Sequence, residues 1–234
     1  MSCGRMALEQ STRGTRDLST TKPVVTEDSQ IAAQFRPILL ASLLAGSVAD
    51  FDIYVQTKGC GIPVLFRSKT LPITTEVLHR LSDSRHESIL IPTSQGTEYA
   101  LYLEQHLEAV LTDESVPVVE RSGVLYSTAH TMVENILANP QSSEMMKSSK
   151  DLVASTAGFL LREESAFEHL VDLVSYDYYT YTHSVNVFVY SFSLAHRAGI
   201  ADQKTLVEFG EGALLHDIGK SIIDPSILRA TGKL

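Results

Sequence analysis

Cysteine is almost absent from this chain. Cys3 and Cys60 are the only two in 234 residues, and they lie far apart with neither a metal-binding nor a redox spacing. A disulfide framework is therefore not expected, and a reducing, cytoplasmic setting is the simplest one. Long apolar runs are missing too. No segment reaches the roughly 18 uninterrupted apolar residues of a transmembrane helix, and Met1 to Asp28, rich in Ser, Thr and Arg, lacks the apolar stretch of a signal peptide. Basic residues are outnumbered, 19 Lys and Arg against 28 Asp and Glu, for a net charge of −9. That balance argues against non-specific binding to a nucleic acid polymer or an anionic membrane, while leaving room for a local basic pocket. A phosphate-gripping glycine loop is also lacking, since Lys58-Gly59-Cys60-Gly61 is without the strand-to-helix context such a loop needs.

What is present is a globular composition, 44% apolar, enough for one large or two small domains. Residues 1–30 are too polar to bury a face and are expected to be a disordered tail. Residues 31–112 read as a small α/β unit. Phe51 to Val55 alternates, the Lys58 to Gly61 turn follows, and Ile62 to Phe66 returns, which predicts a hairpin. Thr74 or Thr75 caps a short helix with Val77, Leu78 and Leu81 on one face, Ser88 to Pro92 is a third strand, and Tyr99 to Val110 closes the unit as a helix through Leu101, Leu103, Leu107 and Val110.

From residue 113 to 234 the pattern is helical almost throughout. Val118 to Leu137 and Glu144 to Leu161 are two helices, and Ser165-x-x-Glu168 matches a capping box that opens a shorter third. The helix after Thr180 aligns His183, Val187, Tyr190 and Leu194, so that His183 is expected to face the interior. Tyr176, Tyr178, Tyr179 and Tyr181 crowd its start and are read as packing residues. His196-Arg197-Ala198-Gly199 ends it, and Asp202 caps the next helix.

That next helix delivers the stretch that carries chemistry, Leu214-Leu215-His216-Asp217-Ile218-Gly219-Lys220. Neighbours on a helix are about 100° apart, so His216 and Asp217 converge only at a terminating turn, which Gly219 is placed to permit. Imidazole nitrogen with carboxylate oxygen suits iron, manganese, nickel, zinc or magnesium. His183, 33 residues earlier, supplies a second imidazole, and Lys220 a cation for a phosphate oxygen. A lone histidine on a helix is more often a packed or surface residue than a ligand. His79, His86, His106, His130 and His169 are read that way.

His216-Asp217-x-Gly-Lys after an apolar helix, preceded by Asp177-x-Tyr-Thr-x-x-His183, resembles the HD-GYP branch of the HD phosphohydrolase superfamily. The resemblance implies an α+β chain, a small amino-terminal α/β regulatory module followed by an all-α HD-type helical bundle. It implies His183, His216 and Asp217 as metal ligands, Asp217 and Lys220 as catalytic groups, and Lys220 as the contact to substrate phosphate. Two divalent ions, iron or manganese foremost, and cyclic di-GMP as substrate, opened to linear pGpG, come with it. Some members place a glutamate where this chain has Tyr179, which favours two metals over three.

Asp224-Pro225-Ser226-Ile227-Leu228 and Gly232-Lys233-Leu234 also follow the family. Its further histidines, Gly-Tyr-Pro signature and later aspartate do not occur, so the bundle is expected to be incomplete and the chain inactive or weakly active. The alternatives are a non-catalytic nucleotide- or protein-binding helical module and a broader HD phosphohydrolase for another nucleotide. A homodimer or a signalling-protein partner is compatible with each.

Overall fold

A computed structural model describes residues 34–57, 62–82, 86–174, 180–200 and 202–228. The Lys58 to Gly61 turn, Cys3, Cys60, Tyr176, Tyr178, Tyr179 and Gly232 to Leu234 lie outside the described residues. Four strands, β1 (Phe35–Pro37), β2 (Ile53–Thr57), β3 (Val64–Arg67) and β4 (His86–Pro92), form an antiparallel sheet in the order β1-β4-β2-β3. The predicted hairpin is β2 with β3, in register at Tyr54↔Leu65 and Val55↔Val64. Ile53 and Val55 point into the core, as alternation along a strand requires, while β3, at the sheet edge, leaves both Val64 and Leu65 exposed.

Helix α1 (Thr75–Leu81) is capped by Thr74, whose hydroxyl accepts from Val77 N–H at 3.2 Å. Helix α2 (Gly96–Thr112) lies over the sheet and buries Tyr99, Tyr102, Leu103, Leu107 and Val110. Phe51 meets two of these edge-on, with ring centroids 5.3 Å from Tyr99 and 5.4 Å from Tyr102. Leu101 differs from the expectation and is exposed, because it lies on the flank of α2 that turns away from both sheet and bundle.

The bundle comprises α3 (Val118–Ala138), α4 (Ser143–Arg162), α5 (Ala166–Leu173), α6 (Thr180–Arg197), α7 (Gln203–Leu215) and the short α8 (Pro225–Leu228). α2 packs on α3 and α4, and a single cluster of buried apolar side chains runs from Phe51, just before β2, and Ile91 of β4 to Phe188, Phe192 and Leu214 in the bundle. Ser165 does precede α5, but its backbone is already helical and its hydroxyl makes no cap, so the capping box does not form. α6 ends as expected: Gly199 takes φ +87° and Ile200 N–H reaches back to Ala195 O at 3.1 Å, the pattern of a left-handed glycine cap. Asp202 accepts from Thr205 N–H at 2.9 Å and starts α7.

Gly210, midway along α7, sets how closely that helix approaches its neighbours. A β-carbon there would stand 2.7 Å from Val153 of α4 and 3.1 Å from Phe188 and Phe192 of α6. Only a residue without one allows this close approach.

Candidate metal centre

α7 ends at Leu215, and His216 is its C-cap. Asp217 then opens a 3-10 turn, Ile218–Ile222, with φ −100° and ψ 8°. The change of helix type therefore occurs at Asp217 itself, two residues before the expected hinge, and Gly219 sits inside the 3-10 turn without a positive φ. The tighter turn brings the two side chains together, His216 Nε2 lying 3.4 Å from Asp217 Oδ2. The C-terminal end of α7 adds negative potential where a cation would sit.

His183, in the first turns of α6, completes the group. Its Nε2 is 3.7 Å from Asp217 Oδ2 and its ring centroid 5.3 Å from that of His216. One ligand atom from each of His183, His216 and Asp217 lies within 4.8 Å of the others, and no further His, Cys, Asp or Glu joins this group among the described residues. The face on which His183 sits is not the interior one. Its side chain is 53% exposed, and the companions expected to be buried, Tyr190 and Leu194, are 46% and 71% exposed. The buried stripe of α6 is instead Val185, Phe188, Val189, Phe192 and Ala195, one step around the helix.

The donor chemistry suits a divalent ion. His216 Nδ1 is 2.8 Å from Ala213 O, and a carbonyl can only accept, so Nδ1 carries a hydrogen and Nε2 is the ring nitrogen turned toward Asp217. Asp217 is the shared partner, only 14% exposed at its side chain. Burial alone would raise its carboxyl; the Lys220 hydrogen bond and the neighbouring imidazoles outweigh that and hold it below the ordinary carboxylate range. Lys220 Nζ donates to Asp217 Oδ2 at 2.5 Å, so the ammonium neutralises the carboxylate in this arrangement. It stands beside the oxygen that a metal ion would claim.

No family profile matches the chain. A cyclic di-GMP phosphodiesterase of Pseudomonas aeruginosa, PA4108, is 32% identical over 170 residues, which are 67% of this chain and 41% of that protein. Among solved structures, Bd1817, an HDG"Y"P protein from Bdellovibrio bacteriovorus, matches 81% of this chain and 61% of its own, at 24% identity and a TM-score of 0.51.

The chain is an HD-GYP domain protein. It spans less than half the length of the Pseudomonas relative, and the Bdellovibrio likeness concerns the fold.

Within this HD-GYP chain, His130 makes a structural contact, its Nε2 standing 3.2 Å from Thr182 Oγ1, next to His183 in sequence. Tyr126, one turn earlier on α3, donates to Asn186 Oδ1 at 2.9 Å. No spacing within either helix announces such a pairing. His79, His106 and His169 stay apart from the metal group, and His86 bonds Arg80 O at 3.2 Å.

Proposed function

We propose that this HD-GYP chain carries a divalent-metal site of a cyclic di-GMP phosphodiesterase, built from His183, His216 and Asp217. The observation that supports it most directly is the meeting of those three side chains from two helices distant in sequence. The Pseudomonas relative, named for its action on cyclic di-GMP, supplies the substrate class. A bound ion of this kind lowers the pKa of coordinated water and offsets phosphate charge. The chain's own part is to hold it: two neutral imidazole nitrogens and one carboxylate, with the Ala213 carbonyl fixing the His216 tautomer. Lys220, once released from Asp217, is within a 3-10 turn of the same centre and would take a non-bridging phosphate oxygen.

Three protein donors serve one ion better than two, so the 234 residues by themselves are expected to bind metal and to turn over cyclic di-GMP weakly. Elemental analysis and titration with Mn²⁺ test this: about one ion per chain is expected, lost in His216→Ala and in His183→Ala. Vigorous hydrolysis by the purified chain that vanishes in His216→Ala would overturn the low-activity part. Metal binding unchanged in both variants would overturn the site.

The second reading, a nucleotide- or protein-binding module without catalysis, draws on the exposed Tyr190, Leu194, Phe209 and Ile222. Binding of cyclic di-GMP by metal-free protein, unaffected by His216→Ala, distinguishes it.

A further inference from the structure

Two polar side chains of α3 reach the first turns of α6 on either side of His183. Tyr126 Oη donates to Asn186 Oδ1 at 2.9 Å, His130 Nε2 lies 3.2 Å from Thr182 Oγ1, and the His130 ring stands edge-on to Tyr181 with centroids 4.6 Å apart. Tyr126 and His130 are four residues apart on one helix, and Thr182 and Asn186 four apart on the other. Each pair therefore occupies a single stripe, and the two stripes run against each other. The same α3 also packs against the 3-10 turn that follows Asp217, so one helix braces both halves of the metal group.

The remainder of α6 is held differently. Phe188, Val189, Phe192 and Ala195 are buried in the bundle core. Apolar packing presses helices together but has no preferred direction, whereas a hydrogen bond weakens steeply when its angle opens. A residue step on a helix is about 100° of rotation, and His183 Nε2 is only 3.7 Å from Asp217 Oδ2. A partial rotation of the first turns of α6 would separate them. His183 cannot hold its own place, being more than half exposed on a face whose other members, Tyr190 and Leu194, are also exposed.

We infer that Tyr126 and His130 are positioning residues: through Asn186 and Thr182 they set the rotation of the first turns of α6 and so aim His183 at His216 and Asp217. The assignment rests on the metal reading above for its purpose, but the geometry it sets belongs to the metal-free protein as well.

The test uses the full chain as wild type, Tyr126→Phe, His130→Leu, His130→Gln and the Tyr126→Phe/His130→Leu pair. Three quantities are read: the ring-proton contact between His183 and His216 by NMR in chelator, the Mn²⁺ dissociation constant by calorimetry, and the melting temperature of the metal-free protein. The pair is expected to fold, to lose the ring contact, and to bind Mn²⁺ about tenfold more weakly, at the low end for outer-sphere partners of metal ligands. His130→Gln, whose amide still bonds the Thr182 hydroxyl, is expected to regain what His130→Leu loses. A purely structural role would lower the melting temperature and leave the ring contact of the folded protein intact.

Ring contact and affinity at wild-type level in the pair overturn the inference, and so does a loss that His130→Gln fails to restore. Should the pair not fold, Tyr126→Phe alone, which deletes one hydroxyl, carries the test on the same two readouts. Wild-type protein that shows the ring contact, loses it in the variants, yet binds no Mn²⁺ sinks the metal reading and supports the positioning.

Discussion

Two charged clusters of the bundle, at Arg121 and at Asp217, are built in opposite ways. Arg121 of α3 is 5% exposed at its side chain, and every contact it makes is internal. It donates to Leu111 O and Val116 O, each at 2.9 Å, pairs with Glu163 Oε1 at 2.9 Å, and lies over the Phe159 ring. It thereby ties the end of α2, the connection that follows and the end of α4 to one planar cation, the geometry that guanidinium suits best. At the Asp217 end, the Lys220 ammonium and two imidazoles crowd a single carboxylate oxygen, and His183, His216 and Lys220 are all partly open to solvent. The Arg121 cluster is complete as folded. The Asp217 cluster gathers cation-binding atoms and leaves them reachable, which distinguishes a place for a ligand from a place for a strut.

The largest effect is expected at the strut. Arg121→Ala leaves two carbonyls and Glu163 without their donor and should cost about 3 kcal/mol, the low end for breaking a buried pair because Glu163 is partly exposed. Denaturant unfolding reads it as a lower midpoint at unchanged slope. Arg121→Met with Glu163→Leu is expected to recover much of the loss, since apolar replacement of both partners removes the stranded charge. A loss under about 0.5 kcal/mol would mean the comparison is drawn in the wrong place.

Gly210→Ala comes next and joins the two regions. The added methyl meets Val153, Phe188 and Phe192. Overpacking of about 1–3 kcal/mol outweighs the roughly 1 kcal/mol by which alanine favours a helix, so a net loss is expected in thermal unfolding. Because the displaced helix is the one that ends at His216, the His183–His216 ring contact should weaken too. No such coupling is expected from Arg121→Ala in protein that remains folded.

What could be read from the residues follows from how local each cause is. The Thr74 and Asp202 caps and the Gly199 terminus were legible because a cap is decided within four residues. Ser165 shows the limit of the same rule: the motif is there, but the chain enters α5 already helical, and the hydroxyl makes no cap. On α6 two apolar stripes compete, His183-Val187-Tyr190-Leu194 and Val185-Phe188-Val189-Phe192, and periodicity alone cannot say which one the bundle covers. The trio at the candidate metal centre was singled out through its likeness to a family; its residues carry no spacing signal across 33 positions. Tyr126 with Asn186 and Arg121 with Glu163 join helices far apart in sequence, where only the tertiary packing decides partners.

Asp217→Asn sharpens the comparison from the other side. In chelator it should change stability by less than about 1 kcal/mol, since partly exposed ion pairs contribute little, while Mn²⁺ binding falls about a hundredfold, the carboxylate being one of three donors among the described residues. A protein that unfolded as readily as Arg121→Ala would place Asp217 among the struts.

The smallest effect concerns a third carboxylate. Asp52 resembles Glu163 in being used up by the fold: Oδ1 accepts from Lys69 N–H at 2.8 Å and Oδ2 from Gln95 Nε2 at 3.1 Å. The Lys69 backbone bond is the main reason its carboxyl lies below the ordinary value, ahead of the opposing effect of burial. A group whose folded pKa is depressed stabilises the protein above its unfolded pKa, near 4, and loses that contribution as pH falls through the folded value. Asp52→Asn should therefore be less stable than wild type at pH 6, with the difference shrinking below pH 4. The cause is a peptide hydrogen bond more than a distant charge, so 0.5 M salt should leave the difference largely in place. At Asp217 in chelator, where ammonium and imidazole charges share the work, the corresponding difference should shrink with salt. Equal salt sensitivity at the two aspartates would erase the distinction between a carboxylate held by the backbone and one held by mobile cations.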